Sequence, residues 1–219
     1  MKKLVLSLAL VATVTFAFGQ KKVVKEAEKG FKSGSLQTAL ASIDAATTNP
    51  ETSGDPATFL LKAQIQTKIF SRDSSNTMET LEVGNQALAT FGMTYEMGGS
   101  NKTSTTGKVV YADELPGIPD NIRPYSLITL KNISFDKALE RYNEDDMEMS
   151  YEFFNLAGEI DKTDSTIHYN AGFLANDLGR FEDAKRHFGY LFELPTYNKT
   201  NAYYFMVQIL STEEKNPEA

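Results

Sequence analysis

The chain has 219 residues, a formal net charge of −7 from 22 basic and 29 acidic side chains, and no cysteine. Without thiols it has no disulfide, no thiolate metal site and no cysteine nucleophile. The acidic balance argues against nucleic acid as a partner, because affinity for a phosphate backbone comes from clustered Lys and Arg.

Residues 1–19 read as a secretory signal peptide. Lys2 and Lys3 give a positive start, Leu4 to Phe18 is mostly apolar, and Ala17 and Gly19 place small residues before a cleavage point at Gln20. The run is shorter than the roughly 20 apolar residues of a membrane span, and Ser7, Thr13 and Thr15 interrupt it. Losing it removes Lys2 and Lys3 and leaves a net charge of −9. With no cysteine to acylate, the expected destination is the periplasm or the exterior, as a secreted protein that is not a lipoprotein.

From Gln20 to Pro50 the sequence predicts a helical hairpin. Ala27 is followed seven residues later by Gly34 in a turn and twelve later by Ala39, with Ile43 and Pro50 beyond. Residues 57–91 predict a second helix pair, with Ala63 and Ala87 at its small positions. The polar stretch Ser71 to Asn76 between them is longer than a hairpin turn needs. Residues 92–124 break the pattern and predict one long irregular loop. A short hairpin is possible there, between Met93–Met97 and Val109–Tyr111. A loop of this length in a compact domain is usually functional or disordered.

A third pair spans 126–161 and a fourth 165–195. The spacings from Ala138 to Gly172, from Ser150 to Ala184 and from Phe154 to Phe188 are each 34 residues. Gly172 lies mid-helix, where glycine costs about 1 kcal/mol relative to alanine unless close packing requires it. A partial fifth unit, 199–219, presents Tyr203, Met206, Val207 and Leu210 as candidate inward residues. Its end resembles the opening of a further helix, so the chain reads as a fragment.

The recurring small–turn–small–aromatic–proline pattern resembles the tetratricopeptide repeat (TPR), a helix-turn-helix unit of about 34 residues. The resemblance covers most of 21–219 outside the long loop. It departs from the family pattern at His168, where a large aromatic is usual, at Ser150 for alanine and at Asp161 for proline. It implies an all-α fold, a TPR-like antiparallel helix-pair solenoid of about 8–9 helices. It further implies a scaffold without enzymatic activity, cofactor or metal, which binds a protein or peptide along a concave groove lined by the first helix of each pair. Carried onto this chain, that groove would be lined by Phe135, Leu139 and Tyr142. Tyr169, Asn170, Phe173, Asn176 and Asp177 follow, then Tyr204 and Gln208. The alternative is glycan binding on the same scaffold, since one outer-membrane sugar-binding family also builds on TPR helices.

Motifs for chemistry are sparse. The two histidines, His168 and His187, fall on different predicted helices without metal-ligand spacing and read as surface or partly packed residues. The acidic clusters at 144–146, 161–164 and 182–183 stand at turns or helix starts, where carboxylates cap free N–H groups.

Overall fold

The structure is a computed structural model and describes residues 21–112 and 125–215. The signal-peptide segment, most of the second half of the expected loop and the last four residues lie outside that range. Among the described residues there are ten helices and no strand. The chain is all-α, as its 3.6-residue periodicity requires. The helices are α1 (residues 21–33), α2 (Leu36–Thr47), α3 (Pro56–Arg72), α4 (Met78–Met97), α5 (Gly107–Val110), α6 (Leu127–Asn143), α7 (Met147–Ile160), α8 (Ser165–Asp177), α9 (Phe181–Glu193) and α10 (Thr200–Lys215). They fall into two compact units, Met1–Arg72 with Asn85–Leu127, and Asp73–Gly84 with Ile128–Ala219.

In the first unit α1 and α2 form the expected hairpin. Their small positions meet: Ala27, Ala39, Ile43 and Ala46 are buried with Ile65 of α3, and Val23, Val24, Phe31 and Leu40 pack around them. Asp55 caps α3 by accepting from the Ala57 amide at 2.9 Å, and Pro56 stands at the first helical position, where its missing N–H costs nothing. Lys68 spans α3 and α1, donating to the Phe31 carbonyl at 2.7 Å with its ammonium 4.4 Å from the Phe31 ring centroid.

Part of the expected irregular segment is ordered. Helix α4 continues to Met97, and the suggested β-hairpin does not form, because both of its strands are helical. Lys108, Val110 and Tyr111 donate backbone bonds to Ser104, Thr106 and Gly107, which closes the short helix α5. The Tyr111 ring then meets Tyr95 of α4 edge-on at 5.2 Å. Local i→i−4 bonds and this aromatic contact outweigh the β-propensity of Val109, Val110 and Tyr111.

The second unit is a succession of packed helix pairs. Asp146 caps α7 through the Met149 amide, and Asp164 caps α8 through the amides of Thr166 and Ile167. The pairs touch where the spacing placed small residues. Ser150 is fully buried, and its hydroxyl donates to the Ala138 carbonyl at 2.9 Å, so serine at this alanine position leaves no polar atom unpaired. At Gly172 an added Cβ would stand 2.8–3.0 Å from three ring atoms of Phe188. Phe188 in turn stacks on Phe205 of α10, with centroids 5.5 Å apart and rings 2° from parallel.

That stack corrects the phase expected for α10. Ala202 and Ile209 are the buried residues, with Phe205 half-buried beside them, whereas Tyr203, Val207 and Leu210 are 57%, 61% and 48% exposed. Flat contact of Phe205 with Phe188 turns the helix so that three of the four expected inward residues face out, while Met206 stays half-buried.

The long polar turn after α3 also has a place in this unit. Lys137 of α6 is buried and donates to the Asp73 carbonyl and, at 2.6 Å, to Asn76 Oδ1. Asn76 Nδ2 donates to Glu140 at 2.7 Å, and Arg141 donates to the Ser75 carbonyl at 2.6 Å. Asp73 itself accepts from Ser75 and Thr80. The segment binds α6 through its polar groups, which accounts for its length.

Candidate functional site: a groove across α6, α7 and α8

The candidate site lies in the second unit. Leu139 and Tyr142 of α6, Phe154 of α7, and Tyr169, Asn170, Phe173 and Leu174 of α8 line an open groove of about 260 Å³. Helical spacing assembles it. Residues 139 and 142 stand one turn apart on α6, as do 169/170 and 173/174 on α8, so each helix offers one stripe to the same hollow. Leu139 and Tyr142 are 40% and 44% exposed, a high value for large apolar side chains.

The rim residues are held from behind. Tyr169 and Phe173 both meet the edge of Phe205, at 6.4 and 5.8 Å between centroids. Asn170 Nδ2 donates to the Thr166 carbonyl at 2.9 Å. At the far end of α6 and α8, Lys131 donates to Asp161 at 2.9 Å and to Asp164 at 3.3 Å. Burial alone would push the Lys131 ammonium down, but the two carboxylates hold it above the ordinary lysine value.

Five of the ten residues expected to line a groove therefore share one. Phe135 is half-buried with its ring edge-on to Phe154 at 5.5 Å. Asn176 and Gln208 line a second, more polar depression of about 450 Å³ with Phe181, Val207, Ser211 and Thr212. Tyr204 is exposed, meets Phe205 edge-on and accepts a hydrogen bond from Gln208 at 3.0 Å, while Asp177 is exposed at the end of α8. Phe154 and Leu174 were legible only as core positions. Their helices end up close enough for the same side chains to floor the hollow. A separate depression of about 470 Å³ in the first unit, between α1 and α3, is lined by charges of both signs, Glu28, Lys32 and Asp55.

The histidines depart most from expectation. Both are 0% exposed, and their Nδ1 atoms are 3.0 Å apart. His168 Nε2 lies 3.2 Å from the Asp161 carbonyl. A carbonyl only accepts, so His168 carries its proton on Nε2, its Nδ1 is the acceptor, and His187 donates from Nδ1. Both rings are then neutral. His187 Nε2 is left as a buried lone pair with no hydrogen-bond partner among the described residues. Burial pushes His187 down to about 3, assisted by the Arg186 charge, and burial lowers His168 as well. Tyr151 and Tyr190 close the pair in, at 6.2 Å from His187 and 4.6 Å from His168. The nearest glycine, Gly158, keeps the space open, since a Cβ there would lie 3.1 Å from His168 Cε1 and 3.4 Å from His187 Cε1. No group of three or more metal-ligating side chains occurs among the described residues.

No family model matches the chain, and no curated protein does. Among solved structures it is similar to a point mutant of MamA, at 16% identity over 81% of this chain and 98% of that one, with a TM-score of 0.27. It is similar also to MamA AMB-1, at 14% identity over 85% of this chain and 97% of that one, with a TM-score of 0.28. The class is set by the geometry above: an all-α protein of packed helix pairs with small residues at the contacts.

Proposed function

We propose that the chain is a non-enzymatic scaffold, exported to the bacterial envelope, which binds a polypeptide partner in the groove across α6, α7 and α8. The observation carrying this reading is that groove's lining: exposed Leu139 and Tyr142 facing Tyr169, Asn170 and Phe173 on a fixed neighbouring helix. Aromatic and amide side chains provide contact area and hydrogen bonding at small entropic cost, and they are held by packing before a ligand arrives. The lining contains no carboxylate, lysine or histidine, so it offers adhesion rather than proton transfer near neutral pH. No described helix is long and apolar enough to cross a membrane.

The test compares proteins captured from envelope extract by the full chain and by its Leu139→Ser/Tyr142→Ser variant. These side chains are 40% and 44% exposed and lie outside the buried core, so the variant should keep its helicity. Capture of the same proteins by both would remove the groove from the function. Binding on a glycan array, abolished by the same pair of substitutions, would replace the polypeptide with a sugar.

A further inference from the structure

Resting on that reading, we infer that the occupant of the groove is a cationic polypeptide segment, with Lys or Arg side chains flanking an aromatic or branched aliphatic anchor. The first argument is charge. The second unit carries 20 acidic and nine basic side chains, a net charge of −11, although the whole chain carries only −7. The excess negative charge is thus concentrated in the unit that holds the groove.

The second argument is how the positive charge is used. Helix α8 has no Lys or Arg, and the three on α6 are all committed: Lys131 to Asp161 and Asp164, Lys137 inside its network, and Arg141 to Glu144 and Asp146. Each remaining Lys or Arg of the unit whose side chain is described is likewise held within it. An acidic ligand would have to draw one of these away from the carboxylate, carbonyl or amide oxygen that holds it.

The third argument is position. Asp136 is exposed three residues before Leu139, and Asp177 is exposed four residues after Phe173, so each continues a groove-lining stripe on its own helix. Neither has an ion-pair partner among the described residues, whereas Glu140 is bound by Asn76. The groove is an apolar floor in a negative field, and complementary charge governs both the encounter and the choice among partners. An aromatic or aliphatic side chain fits a hollow of about 260 Å³ floored by Phe154 and Leu174.

The experiment is selection of displayed random dodecapeptides on the full chain, with parallel selections on Asp136→Lys/Asp177→Lys and on Leu139→Ser/Tyr142→Ser. The expected winners carry Lys or Arg on both sides of an aromatic, Leu or Ile residue. They should be lost on either variant, and a selected peptide should bind Asp136→Asn/Asp177→Asn about three- to tenfold more weakly. Winners that are neutral or acidic, or that bind the Asp→Lys variant equally well, overturn the cationic assignment and leave the groove reading standing. No enrichment at all, or winners indifferent to Leu139→Ser/Tyr142→Ser, overturn the groove reading itself.

Discussion

Replacing Gly172 by alanine should destabilise the second unit, whereas the same change at Gly189 should stabilise it. Both glycines lie inside helices, so each substitution gains about 1 kcal/mol of helix propensity. They differ in what the new methyl group meets. At Gly189 nothing lies within 4 Å, while at Gly172 three atoms of the Phe188 ring lie at 2.8–3.0 Å. Phe188 has little room to yield, because it is fully buried and stacked on Phe205. Overpacking of this kind costs about 1–3 kcal/mol. The propensity gain cancels in the comparison, so the two variants should differ by about that amount. Urea unfolding followed by far-ultraviolet circular dichroism measures it, and unchanged slopes would show that the midpoints report stability. A second variant, Gly172→Ala/Phe188→Leu, should recover part of the loss relative to Phe188→Leu alone, since the clash is then gone. A Gly172→Ala protein as stable as Gly189→Ala would refute close packing at this contact, and with it the repeat interpretation of the glycine.

Three further outcomes follow from buried polar groups. Ser150→Ala removes the buried bond to the Ala138 carbonyl and should cost about 0.5–1.5 kcal/mol in the same urea assay. Lys137→Met leaves the Asp73 carbonyl and Asn76 Oδ1 without their donor and should cost about 1–3 kcal/mol; faster proteolysis between Arg72 and Met78 would locate the damage. For His187 the folded value, pushed down to about 3, lies below the ordinary 6.5, so the unfolded chain takes up the proton first as pH falls. Stability should therefore be full above about pH 6.5 and decline on acidification, with a loss near pH 5 of roughly 2 kcal/mol. That window lies above the range in which carboxylates titrate. His187→Leu should remove about that much of the dependence between pH 7.5 and pH 5, leaving the share of His168, which burial also lowers, and an unaltered slope would mean that the His187 ring is not neutral and buried.

Much of the helical framework was legible because it depends on local rules. The twelve-residue steps from Ala27 to Ala39, from Ala138 to Ser150 and from Gly172 to Ala184 record where two helices of a pair must touch. The acidic residues at 146 and 164 mark helix starts through N–H groups that any helix leaves free. Where expectation and structure differ, a non-local contact decided. The Val109–Tyr111 run has β-branched and aromatic residues but no strand partner, and Tyr95 fixes its ring instead. In α10 two apolar stripes compete, and the choice depends on Phe188, a residue seventeen positions earlier whose position no periodicity in α10 encodes.

The same distinction explains what could be read of the site. Leu139, Tyr142, Tyr169, Asn170 and Phe173 were accessible to pattern reasoning, because the resemblance to a helical repeat implies a groove face on every first helix. The histidine pair was not. His168 and His187 are nineteen residues apart on different helices, and each alone has the appearance of an ordinary polar position. Their meeting depends on the small size of Gly158 and on a carbonyl, that of Asp161, left free to accept a hydrogen bond at the end of α7. A histidine where the repeat usually has a large aromatic needs a polar partner in the interior, and His187 on the facing helix supplies it. The Asp161 carbonyl fixes the tautomer, while the Asp161 side chain binds Lys131. Buried polar groups that hydrogen-bond to one another in only one arrangement favour a single register of α7, α8 and α9 over neighbouring ones. That register places Tyr169 and Phe173 opposite Leu139 and Tyr142. The neutral imidazole pair therefore acts on binding only through position, and His168→Phe with His187→Leu, an apolar refilling of the same space, should retain peptide affinity wherever it retains the fold.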